Sequence, residues 1–448
     1  MPQPSPYDEA YEDDGRPRPQ YAELLGALGD PAELAARVKQ RLRGRGVSFG
    51  AAPDGLFALD PIPRVLTGEE WSELQVGVAQ RIRALDAFVA DVYGDQRALD
   101  GGVVPRAIVE SSPHYEPSMR GAPVSRWIAF AGLDVVRCPD GRFRVIEDQV
   151  RMASGLAYAV AARETLRDVL PVDPPRSDLT LAYGELALAL RDASAVADPV
   201  MVLLSDGPGA AAWWEHSLLA RELCAPVLTI ADLEVRDGRL VAWLDGRRRA
   251  VDVVYHRTDE DRFSGTPLQL LLEPCACGTL TVVNAPGAGV ADDKLVHPYV
   301  DDLVRFFLEQ EPLLPSIRSR PAAEVPDLDD FVVKPRGEMG GEDVVIWRDA
   351  DESTRRRVRD AIDADPDGFV AQELVTLSVH PTVCKGRLEP RHVDLRPYAV
   401  LDGDGVRVLP GGISRVALER GSMVVNSGRG GGAKDTWVPA SVRAARDA

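Results

Sequence analysis

The chain has 448 residues, of which 45% are hydrophobic, and a formal net charge of −18 from 52 Lys and Arg against 70 Asp and Glu. This length supports two or three domains with sizeable cores. The acidic balance argues against a nucleic-acid binder, which needs a basic face, and the only basic runs, Arg41–Arg45 and Arg247–Arg249, are short. No apolar run approaches the roughly 20 residues of a membrane span. The N-terminus is polar and acidic, without the build of a signal peptide. The expectation is a cytoplasmic protein that takes small anionic ligands. Its five cysteines are scattered and odd in number, so no disulfide framework is expected, and Cys275-Ala-Cys277 has no second Cys or His pair at metal-ligand spacing. Oligomeric state cannot be read.

Along the chain, residues 1–20 are rich in Pro, Asp and Glu and are expected to be flexible, except that Tyr7-Asp8-Glu9 can dock. A helical region is expected over 21–110. Its main helix starts at Thr67 with Glu70 in capping-box spacing. Trp71, Leu74, Val78, Ile82, Leu85 and Val89 then recur at steps of three and four, and Gly94 can end the helix. Over 111–175 the pattern turns to short strands at Trp127–Phe130, Asp134–Val136 and Phe143–Ile146, the last two joined by the turn Pro139-Asp140-Gly141.

A further unit is expected over 176–290. The apolar strand Val200–Leu204, a Gly-rich turn, a helix through Trp213 and Leu219 and the strand Val227–Ile230 follow the order of half a doubly wound sheet. Two Asp-Gly turns, at 237–238 and 245–246, then mark hairpins before the strand Val251–Tyr255. The last unit, 291–448, carries a helix with Leu303, Phe306 and Phe307, an acidic helix over 350–364, the strand Val370–Leu374, and a hairpin pairing His392–Leu401 with Val406–Leu409.

Within that last unit, Phe331–Val345 is the most informative segment. A short apolar strand ends at Lys334-Pro335, a turn contains Gly340 and Gly341, and a second apolar run starts at Val344. Glycines let backbone N–H groups approach phosphate oxygens, and a strand lysine adds a point charge. The lysine precedes the glycines and a strand follows, so this is not a Walker P-loop. Upstream, Asp134 and Glu147 sit on strands joined by a tight turn, which lets them face one site. Gln149, two residues on, projects to the same face as Glu147. Such oxygen donors suit Mg²⁺.

The pattern Lys-Pro-x-x-x-x-Gly-Gly resembles the phosphate-covering hairpin of ATP-grasp enzymes. Lys294 before it, Gln372-Glu373 after it and Asp394-Leu395-Arg396 further on follow that superfamily's order. The metal half lies upstream instead of at the end, as in circularly permuted ATP-grasp proteins. The likeness is to the circularly permuted type 2 ATP-grasp family, related to glutathionylspermidine synthase. It extends over Tyr7-Asp8-Glu9, Pro63-Arg64-Val65, Gln80-Arg81, Gly132-Leu133-Asp134, Glu147-Asp148, Arg151 with Ser154-Gly155, Asn284–Gly287, Asp292-Asp293-Lys294, Pro410-Gly411-Gly412 and Lys434–Trp437. Gln149 replaces the family's usual Asn and Ala153 its usual Pro.

The resemblance implies an α+β fold: a circularly permuted ATP-grasp with a Rossmann-like pre-ATP-grasp unit and an N-terminal helical segment. It implies ATP and Mg²⁺ as cofactors, small-molecule carboxylate and amine substrates, and amide formation through an acylphosphate. Lys294, Lys334, Gly340 and Gly341 are expected at the phosphates, Gln372 and Glu373 at the adenine edge, and Asp134, Glu147 and Gln149 at the metal. Arg396 is expected at the transferring phosphoryl group, Arg151 and Arg415 at the substrate carboxylate, and Lys434 over an anionic substrate. The alternatives are an ATP-grasp phosphotransferase acting on a small molecule and, given Gln149 and Ala153, a catalytically weak nucleotide-binding subunit of a partner complex.

Overall fold

The computed structural model describes residues 4–50, 55–174, 179–337, 343–425 and 431–438. Its centre is a six-stranded sheet assembled from both ends of the chain. The strand Phe130–Arg137 lies between Phe143–Gln149 and Arg396–Asp402, followed outward by Gly405–Val416, Gly432–Trp437 and Arg64–Val65. The helix Gly68–Tyr93 packs an apolar stripe into the main core. It begins as its sequence predicts: the Thr67 side chain accepts from the Glu70 N–H, and the Glu70 carboxylate accepts from the Thr67 N–H.

The expected strands at Trp127–Phe130 and Asp134–Val136 are different in the structure. Phe130–Arg137 is one continuous, fully buried strand, and the N–H groups of Trp127 and Ile128 donate to Asp86 outside the ladder. Gly132 does not break that strand, because the Arg396 side chain lies over it; an added Cβ would stand 3.2 Å from Arg396 Cγ and Cδ. The hairpin expected to begin at His392 begins instead at Arg396. His392 belongs to the preceding strand, Arg387–His392, which pairs with Val379–Cys384.

Met201–Ser205, Val227–Leu228, Val253–Arg257 and Thr281–Val283 form an all-parallel sheet. Both Asp-Gly turns inserted in this unit take the left-handed backbone that two-residue hairpins need. Asn284, just past the Thr281–Val283 strand, ties the unit to the central sheet. Its side chain accepts from the N–H groups of Ala129 and Phe130 and donates to the carbonyls of Phe130 and Val150.

A smaller sheet stands apart with its own core: Ser319–Pro321, Phe369–Glu373, Phe331–Pro335 and Val345–Ile346, backed by the helix Glu352–Ala364. The two strands expected to bracket the glycine turn do pair, Val333 opposite Val345. Gly340 and Gly341 themselves lie outside the described residues.

Tyr7-Asp8-Glu9, the part of the N-terminal stretch expected to dock, is anchored. Glu9 is 1% exposed and ion-paired to the buried Arg64 and Arg137, its backbone N–H donates to Val379, and Tyr7 lies under the Arg137 guanidinium. A carboxylate buried between two guanidiniums holds the chain in place where composition alone suggests a loose tail. Among the described residues, no helix is long and apolar enough to cross a membrane.

Candidate active site

The site occupies the cleft between the central sheet and the smaller sheet. Asp134 and Glu147 stand directly opposite each other on adjacent antiparallel strands. Immediately beyond them the register shifts, so that Val135 pairs with Val145 and Ile146 forms a bulge. Strand alternation sends Glu147 and Gln149 to one face and Asp148 to the other. There Asp148 is buried against Arg81, at 2.7 and 2.9 Å, and His297 Nδ1, at 2.9 Å. The guanidinium holds the Asp148 carboxyl below the usual carboxylate range despite its burial. This pair braces the Glu147 strand from behind.

Asp134 meets two arginines. Arg396 grips it in a two-pronged pair (Nε–Oδ1 2.6 Å, Nη2–Oδ2 2.9 Å), and Arg415 Nη2 adds a 2.6 Å contact to Oδ2. Arg415 also ion-pairs with the buried Asp394, so charges alternate along the cleft floor from Asp394 through Arg415 and Asp134 to Arg396. Burial pushes Asp134 up, but the two arginines outweigh it and bring its pKa down to about 2. Gly412 lets the Arg415 strand approach this closely, since a Cβ there would stand 2.3 Å from the Arg396 carbonyl oxygen. Glu147 ion-pairs with Lys294 at 3.3 Å; burial pushes its pKa up, but Lys294 and Lys334 outweigh that and hold it below the usual value.

Lys334 reaches the cleft from the smaller sheet. Its Nζ donates to Gln372 Oε1 at 2.7 Å, and the Gln372 amide in turn donates to the Ile146 carbonyl and the Ser319 hydroxyl, both at 3.1 Å. The bulge at Ile146 therefore holds the glutamine that holds the lysine. Burial brings the Lys334 pKa down to about 8, opposed by Glu147. The cleft also has apolar walls, formed by Ile146, Val332, Ile346, Leu374 and Leu377. An apolar slot leading to cations fits a base at one end and phosphates at the other.

The structure thus brings Asp134, Glu147, Lys294, Lys334, Gln372, Glu373 and Arg415 together on one cleft. Arg396 and Gln149 line an adjoining cavity that shares Glu147 and Arg415 with it. Gln372 uses its side-chain amide to position Lys334. Glu373, also expected at the adenine edge, directs its carboxylate toward the exposed Arg318.

Two expectations, for Arg151 and Lys434, need correction. Arg151 is absent from both cavity linings. Its guanidinium pairs with Asp292 (2.9 Å) and Asp261 and meets His114 Nε2 at 2.8 Å. Lys434 is 0% exposed inside the central sheet, ion-paired with Asp60 and donating to the Pro381 and Ile62 carbonyls. It follows three glycines in sequence and was expected over an anionic substrate. The carboxylate that fixes it lies 374 residues earlier.

Asp293 and Asp394 were visible as motif members but carried no role. Asp293 holds Arg336, which also donates to Ser111 Oγ and the Ile108 carbonyl and so ties the Lys334 strand to the helical region. The consecutive residues Asp292, Asp293 and Lys294 therefore serve three different partners.

For a divalent cation, the donor set is hard oxygen: the Glu147 and Asp134 carboxylates, with the Gln149 amide on the same strand face as Glu147. Among the described residues, no group of three or more His, Cys, Asp and Glu could cage a metal unaided. Mg²⁺ commonly takes only one or two carboxylates and completes its shell with phosphate and water. Carboxylate oxygens that accept guanidinium bonds keep further lone-pair positions, so these residues fit the ion.

This fold and cleft define a class, and comparison with known proteins agrees. The family model for circularly permuted ATP-grasp type 2 matches residues 63–417, and the chain belongs to that family. It is 39% identical over 98% of its length to a protein of Frankia casuarinae named putative glutamate–cysteine ligase 2-2, and 38% identical to one of Frankia alni named putative glutamate–cysteine ligase 2-3. It spans about half, 54%, of each of those relatives. An uncharacterized protein of Synechocystis is 36% identical, with 96% of both chains covered. Among solved structures, a glutathione synthetase-like effector of Globodera pallida in its apo form superposes with a TM-score of 0.60 at 12% identity, covering 92% of this chain and 99% of that one. At that identity the likeness speaks for the fold.

Proposed function

We propose that the chain is an ATP-dependent, ADP-forming carboxylate–amine ligase. The observation that carries this reading is the convergence of Lys294, Lys334 and Arg415 with Asp134 and Glu147 on a cleft that shares Glu147 and Arg415 with a second cavity. A nucleotide in the first space and a small molecule in the second would meet at those shared residues. The name of the Frankia relatives, putative glutamate–cysteine ligase, denotes a reaction of this kind.

A substrate carboxylate oxygen attacks the γ-phosphorus, the bond from that phosphorus to the β–γ bridging oxygen breaks, and ADP leaves. An amine nitrogen then attacks the acyl carbon, inorganic phosphate departs and the nitrogen gives its proton to solvent, leaving an amide. Lys294 and Lys334 neutralise phosphate oxygens, while Arg396 and Arg415, held rigid by Asp134 and Asp394, present fixed positive charge where phosphoryl charge develops. Glu147, Asp134 and Gln149 are the residues that would hold Mg²⁺, which when bound supplies charge neutralisation on the phosphates.

ADP release that requires both a carboxylate and an amine is the expected result. ADP release with a carboxylate or alcohol alone, yielding a stable phosphorylated product, would instead identify a phosphotransferase. Nucleotide binding without ADP under any mixture would leave a nucleotide-binding subunit. Glu147→Ala should retain nucleotide binding by calorimetry and lose Mg²⁺-dependent turnover by ~10²-fold or more. Full activity in that variant would remove Glu147 from the metal site.

A further inference from the structure

The second cavity lies between the central sheet and the C-terminal ends of the parallel strands Met201–Ser205 and Val253–Arg257, the end at which open α/β sheets receive ligands. One wall is aromatic. Tyr158 stacks on Phe57 at 4.7 Å and meets Phe49 edge-on at 5.7 Å, its hydroxyl is bonded to the Ser48 carbonyl, and Phe49 is the most open of the wall's three rings, Phe57 and Tyr158 being 5% and 4% exposed. Ile413 and Met152 extend it.

The charged lining is unevenly available. Glu215 is wholly buried and accepts from the N–H groups of Gly155 and Ala157, capping the helix Leu156–Val169, and its charge also offsets Arg257 at 3.4 Å. His216, bonded through Nδ1 to Ser205, is kept neutral by burial and by Arg257, which bring its pKa down to about 3. Asp259 stands exposed at the rim and repels anions. Among the described residues lining the cavity, Arg257 faces the buried Glu215, and the other positive charge stands at the end shared with the nucleotide cleft, at Arg396 and Arg415, both held by Asp134.

We infer that this cavity takes a monocarboxylate with a large apolar or aromatic body, its carboxylate at the Arg396–Arg415 end and its body against Phe49, Phe57 and Tyr158. The inference rests on the ligase reading for which group reacts, but its binding claim stands separately. A dicarboxylate such as glutamate would set its second charge against rings or beside Asp259, without a partner, and burying an unpaired carboxylate is costly. An aromatic body covers the wall and gains from ring contact.

The test is calorimetric titration of the full chain, with Mg²⁺ and a non-hydrolysable ATP analogue, using 3-phenylpropanoate and L-glutamate as probes. The phenyl compound should bind at least ~10-fold more tightly. Phe49→Ala should weaken it ~10-fold with nucleotide affinity unchanged, and Phe49→Leu, which keeps bulk, should restore most of the loss. Glutamate binding equally or better, or phenylpropanoate binding unmoved by Phe49→Ala, overturns the inference. ADP release in the presence of hydroxylamine as the amine is measured in parallel. Tight phenylpropanoate binding with no ADP from any carboxylate would sink the ligase reading while leaving the cavity's preference intact.

Discussion

Two lysines invite comparison. Lys334 and Lys434 both sit on strands next to glycine-rich segments, and burial lowers the pKa of each. Their partners separate them. Lys434 is paired with a carboxylate, Asp60, and surrounded by carbonyls, so its charge is satisfied inside the sheet. Lys334 is held by a neutral amide, Gln372, which fixes its position without cancelling its charge. Lys334 also lines the cleft, where its charge can face an anion, whereas Lys434, 0% exposed and enclosed by Asp60 and carbonyls, is a structural ion pair.

The sharpest way to break this contrast is to remove each amine. Lys434→Ala leaves Asp60 buried without its cation and should cost about 3–5 kcal/mol of stability, read as a lower melting temperature or reduced soluble yield. Lys334→Ala strands no carboxylate of its own. It should melt close to wild type while nucleotide affinity drops ~100-fold by titration calorimetry. If Lys434→Ala keeps wild-type stability, or Lys334→Ala keeps nucleotide affinity, the distinction between the two fails.

Smaller effects test how Lys334 is held. Gln372→Leu removes the amide between the Ile146 bulge and Lys334, and nucleotide affinity should fall ~10-fold with a modest loss of stability. The pH dependence follows from the lowered Lys334 pKa. The amine is protonated below about 8 and loses its charge above it, so nucleotide affinity should be flat up to neutrality and decline a few-fold as pH rises through 8 and beyond. Lys334→Arg, with a guanidinium that stays charged over that range, should flatten the profile. An unchanged decline in that variant would place the titrating group elsewhere.

What could be read in advance divides along the same physical line. Asp134 and Glu147 were legible together because a tight turn and strand alternation fix the relative positions of residues 13 apart. The Lys334 hairpin and the capped helix at Thr67 were legible for similarly local reasons. The two misplaced site residues depended on distant partners: Asp60 for Lys434, and Asp261 and Asp292 for Arg151. The contact of Gln372 with the Ile146 carbonyl was not legible either, since it follows from a register slip that no spacing rule shows. The second cavity has one faint signal in sequence, the residues just past the apolar strands ending at Ser205 and Arg257, but Phe49 and Phe57 reach it from a region that reads only as core.

The Asp134–Arg396 pair spans 262 residues. At the roughly 5–20 residues per second of protein synthesis, Asp134 leaves the ribosome ~13–50 s before the guanidinium that will neutralise it. Over that interval the hairpin holding Asp134 and Glu147 lacks its neighbour at Arg396–Asp402, and two facing carboxylates lie on the hairpin whose Phe130–Arg137 edge is unpaired. The same charges that later organise the cleft therefore guard that edge while it waits, because mutual repulsion and hydration discourage another nascent chain from pairing there.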